Sequence, residues 1–224
     1  MDIQYVGHSC FRLRGKEGLV ITDPFHSSVG FNMPKLSADV VTVSHDHSDH
    51  NAIEIIKSTA SRKRPFIVTD PGEYEVQGIS VYGYPSWHDA SQGSERGKNM
   101  MYSIFLDDVH ILHLGDLGHV LDEQMINEIP DVDVLMVPIG GKYTIDPTQA
   151  TEVISLLEPA YVIPMHYRTP QHDQDTFGEL ATVDDFIQKY GRQPKHTDKL
   201  ALSGPKSGDE SESQLIILEP KTSE

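Results

Sequence analysis

Residues 40–51 are VVTVSHDHSDHN, a run of mostly β-branched residues followed at once by three histidines and two aspartates. Such a run is typical of a buried strand. Side chains two residues apart in an extended segment project to the same side, so His45 and His47 are placed to bind one cation together. Asp49 and His50 follow where the chain turns, and we expect them to face a neighbouring cation. Because Zn²⁺ accepts imidazole nitrogen together with carboxylate oxygen, the stretch predicts a metal site at the end of a strand.

Three further candidate ligands follow apolar runs that are typical of central strands: His88 after ISVYGYPSW, Asp116 after VHILHLG and His166 after YVIPM. Such side chains are expected to emerge at one edge of a sheet, beside the first cluster. A single histidine after a strand is more often structural than a ligand, and a histidine-rich turn can simply be solvated. The joint arrangement of the two sets favours metal ligands over both alternatives.

The composition indicates one globular domain over residues 1–224, with 38% hydrophobic and 23% charged residues. No apolar run approaches the roughly 18 residues of a membrane-spanning helix. The first residues, MDIQYVGHSCF, lack the basic and apolar regions of a signal peptide, so we expect a cytoplasmic protein without membrane contact. The single cysteine, Cys10, excludes an intramolecular disulfide and is expected to be a small buried residue.

The charge balance argues against nucleic acid as a partner. The chain carries 34 acidic and 18 basic side chains, for a formal net charge of -16, which would repel phosphate backbones. Two bound dications would cancel about four of these charges locally. The expected partner is therefore a small, anionic molecule bound beside the metals, and self-association into a homo-oligomer stays open.

The order of elements predicts two similar halves. Short β-rich runs recur as far as residue 83 and are interrupted by one amphipathic helix over about residues 51–61. A second set of strands is interleaved with helical patterns near 122–128, 147–157 and 182–190. Each half would supply a sheet with helices on its outer side, which predicts a four-layer α/β/β/α sandwich. Residues 203–213 are predicted to be a mobile loop, and residues 221–224 a frayed tail.

The motif H-x-H-x-D-H, a downstream histidine, a Gly-Asp pair after a strand and a late histidine, in this order, resemble the metallo-β-lactamase superfamily. The resemblance implies a first metal held by His45, His47 and His88 and a second held by Asp49, His50 and His166. It further implies that Asp116 bridges the two metals and that Asp23, in LVITDP, supports the first cluster through hydrogen bonds.

Residues 6–24, VGHSCFRLRGKEGLVITDP, resemble more narrowly the branch that contains L-ascorbate-6-phosphate lactonase and the N-acyl-phosphatidylethanolamine phospholipase D. By that match His8 would lie near the metals, with a satisfied core histidine as the alternative. Leu117 departs from the superfamily, which often has threonine after the bridging aspartate. The contacts beyond that carboxylate therefore stay open.

These features predict a hydrolase that activates water with two divalent metal ions, zinc first and manganese or iron as alternatives. The bond attacked would be an ester, lactone or phosphodiester of a small, phosphorylated or otherwise anionic substrate. The residues expected to take part in catalysis are Asp49, Asp116 and His8. Candidate donors to the developing oxyanion are His8, Lys142, Tyr143 and Arg168, and His113 flanks the bridging aspartate. A flexible loop carrying Arg96 and Asn99 would close over the anion, with an ordinary charged surface loop as the alternative.

Three other functions remain alternatives. A metal-dependent nuclease of the same fold would need an additional nucleic-acid-binding domain or arm. A di-iron redox protein would need a flavin domain and a carboxylate in place of one histidine ligand. A non-catalytic metal-binding module is disfavoured by the full set of seven ligands. The sequence assigns no role to four other histidines: His26, His110, His172 and His196.

Overall fold

The computed structural model describes residues 1–205 and 212–221. In chain order the strands are β1 (Asp2–Gly7), β2 (Cys10–Arg14), β3 (Leu19–Thr22), β4 (Ser37–Ala38), β5 (Val40–Thr42), β6 (Lys57–Ser58), β7 (Phe66–Val68), β8 (Gly72–Val76), β9 (Ile79–Trp87), β10 (Lys98–Leu106), β11 (Val109–His113), β12 (Val134–Pro138), β13 (Tyr161–Met165), β14 (Lys195–Thr197), β15 (Leu200–Ala201) and β16 (Gln214–Leu218). The α-helices are α1 (Glu123–Glu128), α2 (Pro147–Leu157), α3 (Gln174–Phe177) and α4 (Val183–Tyr190). Residues 206–211 of the predicted mobile loop and 222–224 of the predicted tail lie outside the described residues.

The described strands form two large sheets and one short pair. The first sheet has the order β15-β1-β2-β3-β5-β7 and the second the order β14-β16-β13-β12-β11-β10-β9-β8, while β4 pairs with β6. In the first sheet, β3, β5 and β7 are parallel. In the second sheet, β11, β12, β13 and β16 are parallel. The carboxyl ends of these parallel strands therefore meet at one edge of each sheet, where the candidate ligands follow them.

The two sheets pack face to face around the main core. Along β1 and β2 the side chains alternate: Tyr5 and Phe11 face the core between the sheets, whereas Val6 and Cys10 face a second, smaller core. The buried position predicted for Cys10 is confirmed. The hydroxyl of Tyr102 in the second sheet donates to the carbonyl of Val43 in the first, at 2.8 Å. This bond ties the sheets together close to the histidine cluster.

The three helices predicted in the second half are confirmed to within one residue at each end. Asp146 caps α2 in a capping box with Gln149, and Pro147 stands at its first turn. Thr182 caps α4 in the same way, and Gly191 ends it in the left-handed conformation. Among the described helices, none is long and apolar enough to cross a membrane.

The helix predicted over residues 51–61 is wrong. This segment contains only a 3-10 turn at Ile53–Ile55 and the short strand β6. Some of its backbone amides bond outside the segment instead, such as that of Ala52 to Pro24 O at 2.8 Å and that of Lys57 to Leu36 O at 3.0 Å. The outer face of the first sheet is accordingly covered by loops and α3, whose apolar side chains form the second core: Phe25, Val29, Phe31, Leu36, Ile56 and Phe177.

Candidate metal centre

The structure brings all seven predicted ligands together at the edge where the parallel strands end. His45, His47, Asp49 and His50 follow β5 in the first sheet, and His88, Asp116 and His166 follow β9, β11 and β13 in the second. One carboxylate oxygen of Asp116, Oδ2, lies close to the Nε2 atoms of four histidines: His166 at 3.2 Å, His50 at 3.3 Å, His88 at 3.4 Å and His45 at 3.9 Å. Asp116 thus stands between the two halves of the cluster.

The candidate ligand atoms fall into overlapping groups in which all atoms lie within 4.8 Å of one another. One group is His45, His47 and His88, and another is His8, Asp49, His50 and His166. A third group, which contains Asp116, shares one histidine with each of the others: His45 and His50. This is the arrangement expected for two neighbouring cations that share a carboxylate.

Several buried polar atoms of the cluster have no hydrogen-bond partner among the described residues. They include Nε2 of His45, His50 and His166 and Oδ1 of Asp116. A buried polar atom without a partner costs free energy, and few occur in folded proteins. Imidazole nitrogens and carboxylate oxygens that converge in this way fit zinc and related divalent cations. The donor set therefore fits the metal ions that the sequence predicts.

Asp23, at the end of β3, fixes the orientation of two of these histidines. Its carboxylate accepts hydrogen bonds from the Ser44 amide at 2.8 Å, the Ser44 hydroxyl at 2.6 Å and His50 Nδ1 at 2.8 Å. His45 Nδ1 lies 2.9 Å from the same hydroxyl oxygen, which can accept a hydrogen bond from it. Both Nδ1 atoms are thereby engaged, and both Nε2 atoms are left for a metal. Ser44 was not singled out from the sequence, although it directly precedes His45.

Burial and neighbouring charge set the ionisation of the centre. Burial alone would raise the pKa of Asp116, but the imidazoles of His166 and His50 outweigh it and hold the pKa well below its ordinary value. Burial lowers the pKa of His45 to about 3 and that of His8 to about 4. His45 and His8 are therefore neutral and Asp116 ionised at neutral pH, which are the forms that bind metal. Burial would also lower the pKa of His50, but the carboxylates of Asp116 and Asp49 outweigh it and raise that pKa above its ordinary value.

His8 occupies the turn between β1 and β2, against the second group. Its backbone has a φ of 56°, a conformation that costs free energy in any residue but glycine. Two donors hold the strained carbonyl, the Tyr5 hydroxyl at 2.8 Å and the His166 amide at 2.9 Å. The ring then places Nε2 at 3.2 Å from Asp49 Oδ2. The other ring nitrogen contacts His172, to which the sequence assigned no role.

Asn99 and His113 hold the backbone around Asp116 and do not face the substrate side. Asn99 lies in β10 and is fully buried, so its predicted place in a flexible loop is wrong. Its Oδ1 accepts from the Asp116 amide at 2.8 Å, and its Nδ2 donates to Leu114 O at 2.9 Å. His113 Nε2 donates to Ser9 O at 2.9 Å, which ties this loop to the β1–β2 turn. Both residues position the shared carboxylate.

A cavity of about 410 Å³ opens over the centre. Its lining consists of ligand residues and of side chains from loops and from α3: Ser28, Val29, His47, Ser48, Asp49, His88, Arg96, Asp116, Tyr143, His166, Thr176 and Phe177. Arg96 lies 5.8 Å from the centre of the Tyr143 ring, so two predicted substrate residues meet at the wall. Lys142 and Arg168 are not in the lining. Lys142 pairs with Glu179 at 3.0 Å, and Arg168 donates to Gly178 O at 2.7 Å. The structure thus engages both cations outside the lining, and their role as donors stays a prediction.

The loop that carries Arg96 is held by Asp89. This buried carboxylate accepts from four backbone amides, those of Ser91, Gly93, Glu95 and Arg96, at 2.8–3.1 Å. Burial opposes ionisation, but together these four amides outweigh it and lower the pKa of Asp89 to about 2. The sequence suggested a flexible loop here, yet the backbone is pinned directly after the candidate ligand His88. Arg96 is therefore presented to the cavity from a defined turn.

Among the proteins that this chain resembles are metal-dependent hydrolases, in agreement with a metal site. Residues 2–166 match the family model described as a β-lactamase superfamily domain. A UPF0173 metal-dependent hydrolase from Thermococcus onnurineus is 33% identical, over 82% of this chain and 95% of the relative. The crystal structure of a proposed Zn-dependent hydrolase of the metallo-β-lactamase superfamily from Thermotoga maritima is 33% identical, covers 97% of both chains and has a TM-score of 0.77. Igni18, a metallo hydrolase from Ignicoccus hospitalis, is 26% identical over 85% of this chain and 90% of its own, with a TM-score of 0.63.

The match to the family model extends over most of the chain and includes residues 40–51, the stretch with the first four candidate ligands. The histidine and aspartate groups of this chain could hold the metal that a metal-dependent hydrolase requires. The chain therefore belongs to the β-lactamase superfamily, and within it to the UPF0173 metal-dependent hydrolases.

Proposed function

We propose that this hydrolase holds two divalent cations, zinc first and manganese or iron as alternatives, and cleaves an ester, lactone or phosphodiester bond of a small anionic substrate. The observation that carries the proposal is the position of Asp116. Its Oδ2 lies 3.4 Å from His88 Nε2 in one ligand group and 3.2 Å from His166 Nε2 in the other. A carboxylate at this point serves both cations, whereas a single-metal site would not require it between two groups.

In this proposal the side chains of the protein hold the two cations and orient the ligands. His45, His47 and His88 would bind one cation, Asp49, His50 and His166 the other, and Asp116 both. Bound together, two such cations supply hydroxide from water near neutral pH and polarise the oxygen of the bond under attack. Asp23 keeps the histidine rings in place, and the ionised Asp116 lowers the local positive charge. His8 is not in the cavity lining, so it acts on the centre through Asp49.

The cavity favours a small anion as substrate. Its volume of about 410 Å³ lies in the range of small-molecule sites, which is roughly 300–1,000 Å³. Apart from the histidines, Arg96 is the one cationic side chain among its lining residues. The likeness of residues 6–24 to the lactonase branch makes phosphorylated lactones and esters the first substrates to try. With a net charge of -16, the chain is a poor match for a nucleic-acid strand.

The test is metal content and turnover, measured together on the same preparation. Protein purified without added metal is analysed by elemental mass spectrometry and assayed on lactones, phosphodiesters and thioesters. We expect two zinc or manganese ions per chain and metal-dependent turnover. Asp116→Ala should lose tight binding of the second ion and all turnover, while Asp198→Ala, at an exposed aspartate, should keep both. Two irons with oxygen-dependent chemistry, or full activity of Asp116→Ala, would overturn the proposal.

A further inference from the structure

His172 lies outside the seven candidate ligands, yet it is buried beside them. Its ring is held between Phe31, with ring centres 4.7 Å apart, and Phe177, at 5.3 Å. Its Nε2 lies 3.1 Å from Nδ1 of His8. The segment that carries it also forms the cavity wall, since Phe177 and Thr176 line the cavity. A side chain in this position connects the wall with the metal centre.

The hydrogen bonds of His172 fix where its proton lies. The backbone amide of Thr169 donates to His172 Nδ1 at 3.1 Å, and a backbone amide can only donate. The Thr169 hydroxyl lies 3.0 Å from the same nitrogen and, being able to donate or accept, conforms to the amide. Nδ1 therefore carries no proton, and the proton of this imidazole is on Nε2. That Nε2–H group points at His8 Nδ1 and donates to it.

The same reasoning then applies to His8. Because its Nδ1 accepts from His172, its own proton is on Nε2, which lies 3.2 Å from Asp49 Oδ2. His8 thus donates to one oxygen of the Asp49 carboxylate. These three hydrogen bonds run in one direction, from the Thr169 amide through His172 and His8 to Asp49. The donor in each bond follows from the Thr169 amide.

We propose that His172 is a positioning residue, which holds His8 in the tautomer that donates to Asp49 and so fixes the orientation of this carboxylate, whose Oδ2 lies 3.6 Å from His50 Nε2 in the second ligand group. The proposal rests on the proposed two-metal site for its effect on metal binding, but the proton positions do not depend on it. Hydrogen bonds that orient metal-binding carboxylates and histidines typically change metal affinity or activity by about 10- to 100-fold when removed.

The tautomer is tested first, on metal-free protein, by long-range ¹H–¹⁵N NMR of the histidine rings. We expect His8 to be protonated on Nε2 in the native chain and in His172→Gln, whose side-chain amide can both accept from Thr169 and donate to His8. In His172→Phe, which keeps a ring between Phe31 and Phe177, the two tautomers of His8 should mix. His8 protonated on Nδ1 in the native chain would overturn the proposal.

Metal affinity is tested next, by chelator competition on the same variants. His172→Phe should lower the affinity for the second ion by about 10- to 100-fold and leave the affinity for the first ion unchanged. His172→Gln should restore most of the lost affinity. The control is His110→Phe, another buried histidine with two hydrogen bonds, to Ser103 and Asp131, remote from the ligands. Native affinity in His172→Phe, or equal losses in His110→Phe, would overturn the proposal. A native chain that binds no metal would refute the proposed function, while the NMR result would still decide the proton positions.

Discussion

The metal centre and the wall of the cavity above it are built from different elements of the fold. Most candidate ligands follow strands of the two sheets within three residues, and Asp23 and Asn99 hold the backbone amides of Ser44 and Asp116 by hydrogen bonds. The wall comes from the loops that contain Ser28, Arg96 and Tyr143 and from the short helix α3, which contains Phe177. A change at the centre should therefore alter metal binding and turnover, whereas a change in the wall should alter substrate affinity alone.

Metal removal should have the largest effect, because it leaves the buried ligand atoms without partners. Chelation is expected to abolish turnover and to lower the melting temperature, since a ligand at 100 times its Kd stabilises the folded state by about 2.7 kcal/mol. Differential scanning fluorimetry with and without chelator measures the shift, and added Zn²⁺ should reverse it. An unchanged melting temperature together with full turnover would mean that these residues form an ordinary buried cluster.

Asp23→Asn should have the next largest effect, although Asp23 is not a candidate ligand. The amide that replaces one carboxylate oxygen cannot accept from His50 and Ser44 in the way that the carboxylate does. We expect metal affinity to fall by about 10- to 100-fold, measured by titration calorimetry. Asp39→Asn is the matched control, because this buried aspartate bonds to Leu19, Thr59 and Ser61, away from the ligands. Equal losses in both variants would reduce the role of Asp23 to general stability.

The difference between centre and wall also decides what the sequence can predict. Ligands such as His88 and His166 follow apolar strands, so strand periodicity and the edge of the sheet locate them. The helix over 147–157 is equally predictable, since Asp146 and Pro147 mark its start. His172 is different, because 164 residues separate it from its partner His8. Tertiary packing alone brings the two together, and no local pattern marks it.

At residues 51–61 tertiary contacts also decide the structure, because they prevent the helix that the local pattern predicts. The segment has an amphipathic pattern, but the amides of Ala52 and Lys57 bond to the carbonyls of Pro24 and Leu36, which lie in an earlier loop. Such contacts override local propensity. Asp89 shows how a single side chain can do likewise for a loop, since its carboxylate organises residues 91–96 into a fixed turn. Sequence polarity alone suggested flexibility there.

A substitution at Gly115 tests how the backbone next to Asp116 positions the metal centre. The φ of Gly115 is 56°, and a Cβ there would lie 2.4 Å from Asn99 Oδ1, the atom that accepts from the Asp116 amide. Gly115→Ala should cost roughly 1–2 kcal/mol for the left-handed backbone and more for displacing Asn99. Gly191→Ala is the control, since its φ is 72° but no atom lies within 4 Å of a built Cβ. Urea unfolding should therefore show a larger loss at Gly115, accompanied by lower turnover; equal losses would contradict the steric argument.

Arg96→Ala should have the smallest effect and the one most specific to the wall. Arg96 is partly exposed, with 36% of its side chain accessible, so its attraction for an anion is screened by solvent. A contribution of about 0.2–1 kcal/mol corresponds to a KM raised at most about fivefold for anionic substrates, with kcat unchanged. Lys142→Ala removes a nearby cation that pairs with Glu179 outside the cavity lining, so its KM should stay native. A fall in kcat for Arg96→Ala would mean that the wall takes part in the reaction itself, and the division between centre and wall would fail.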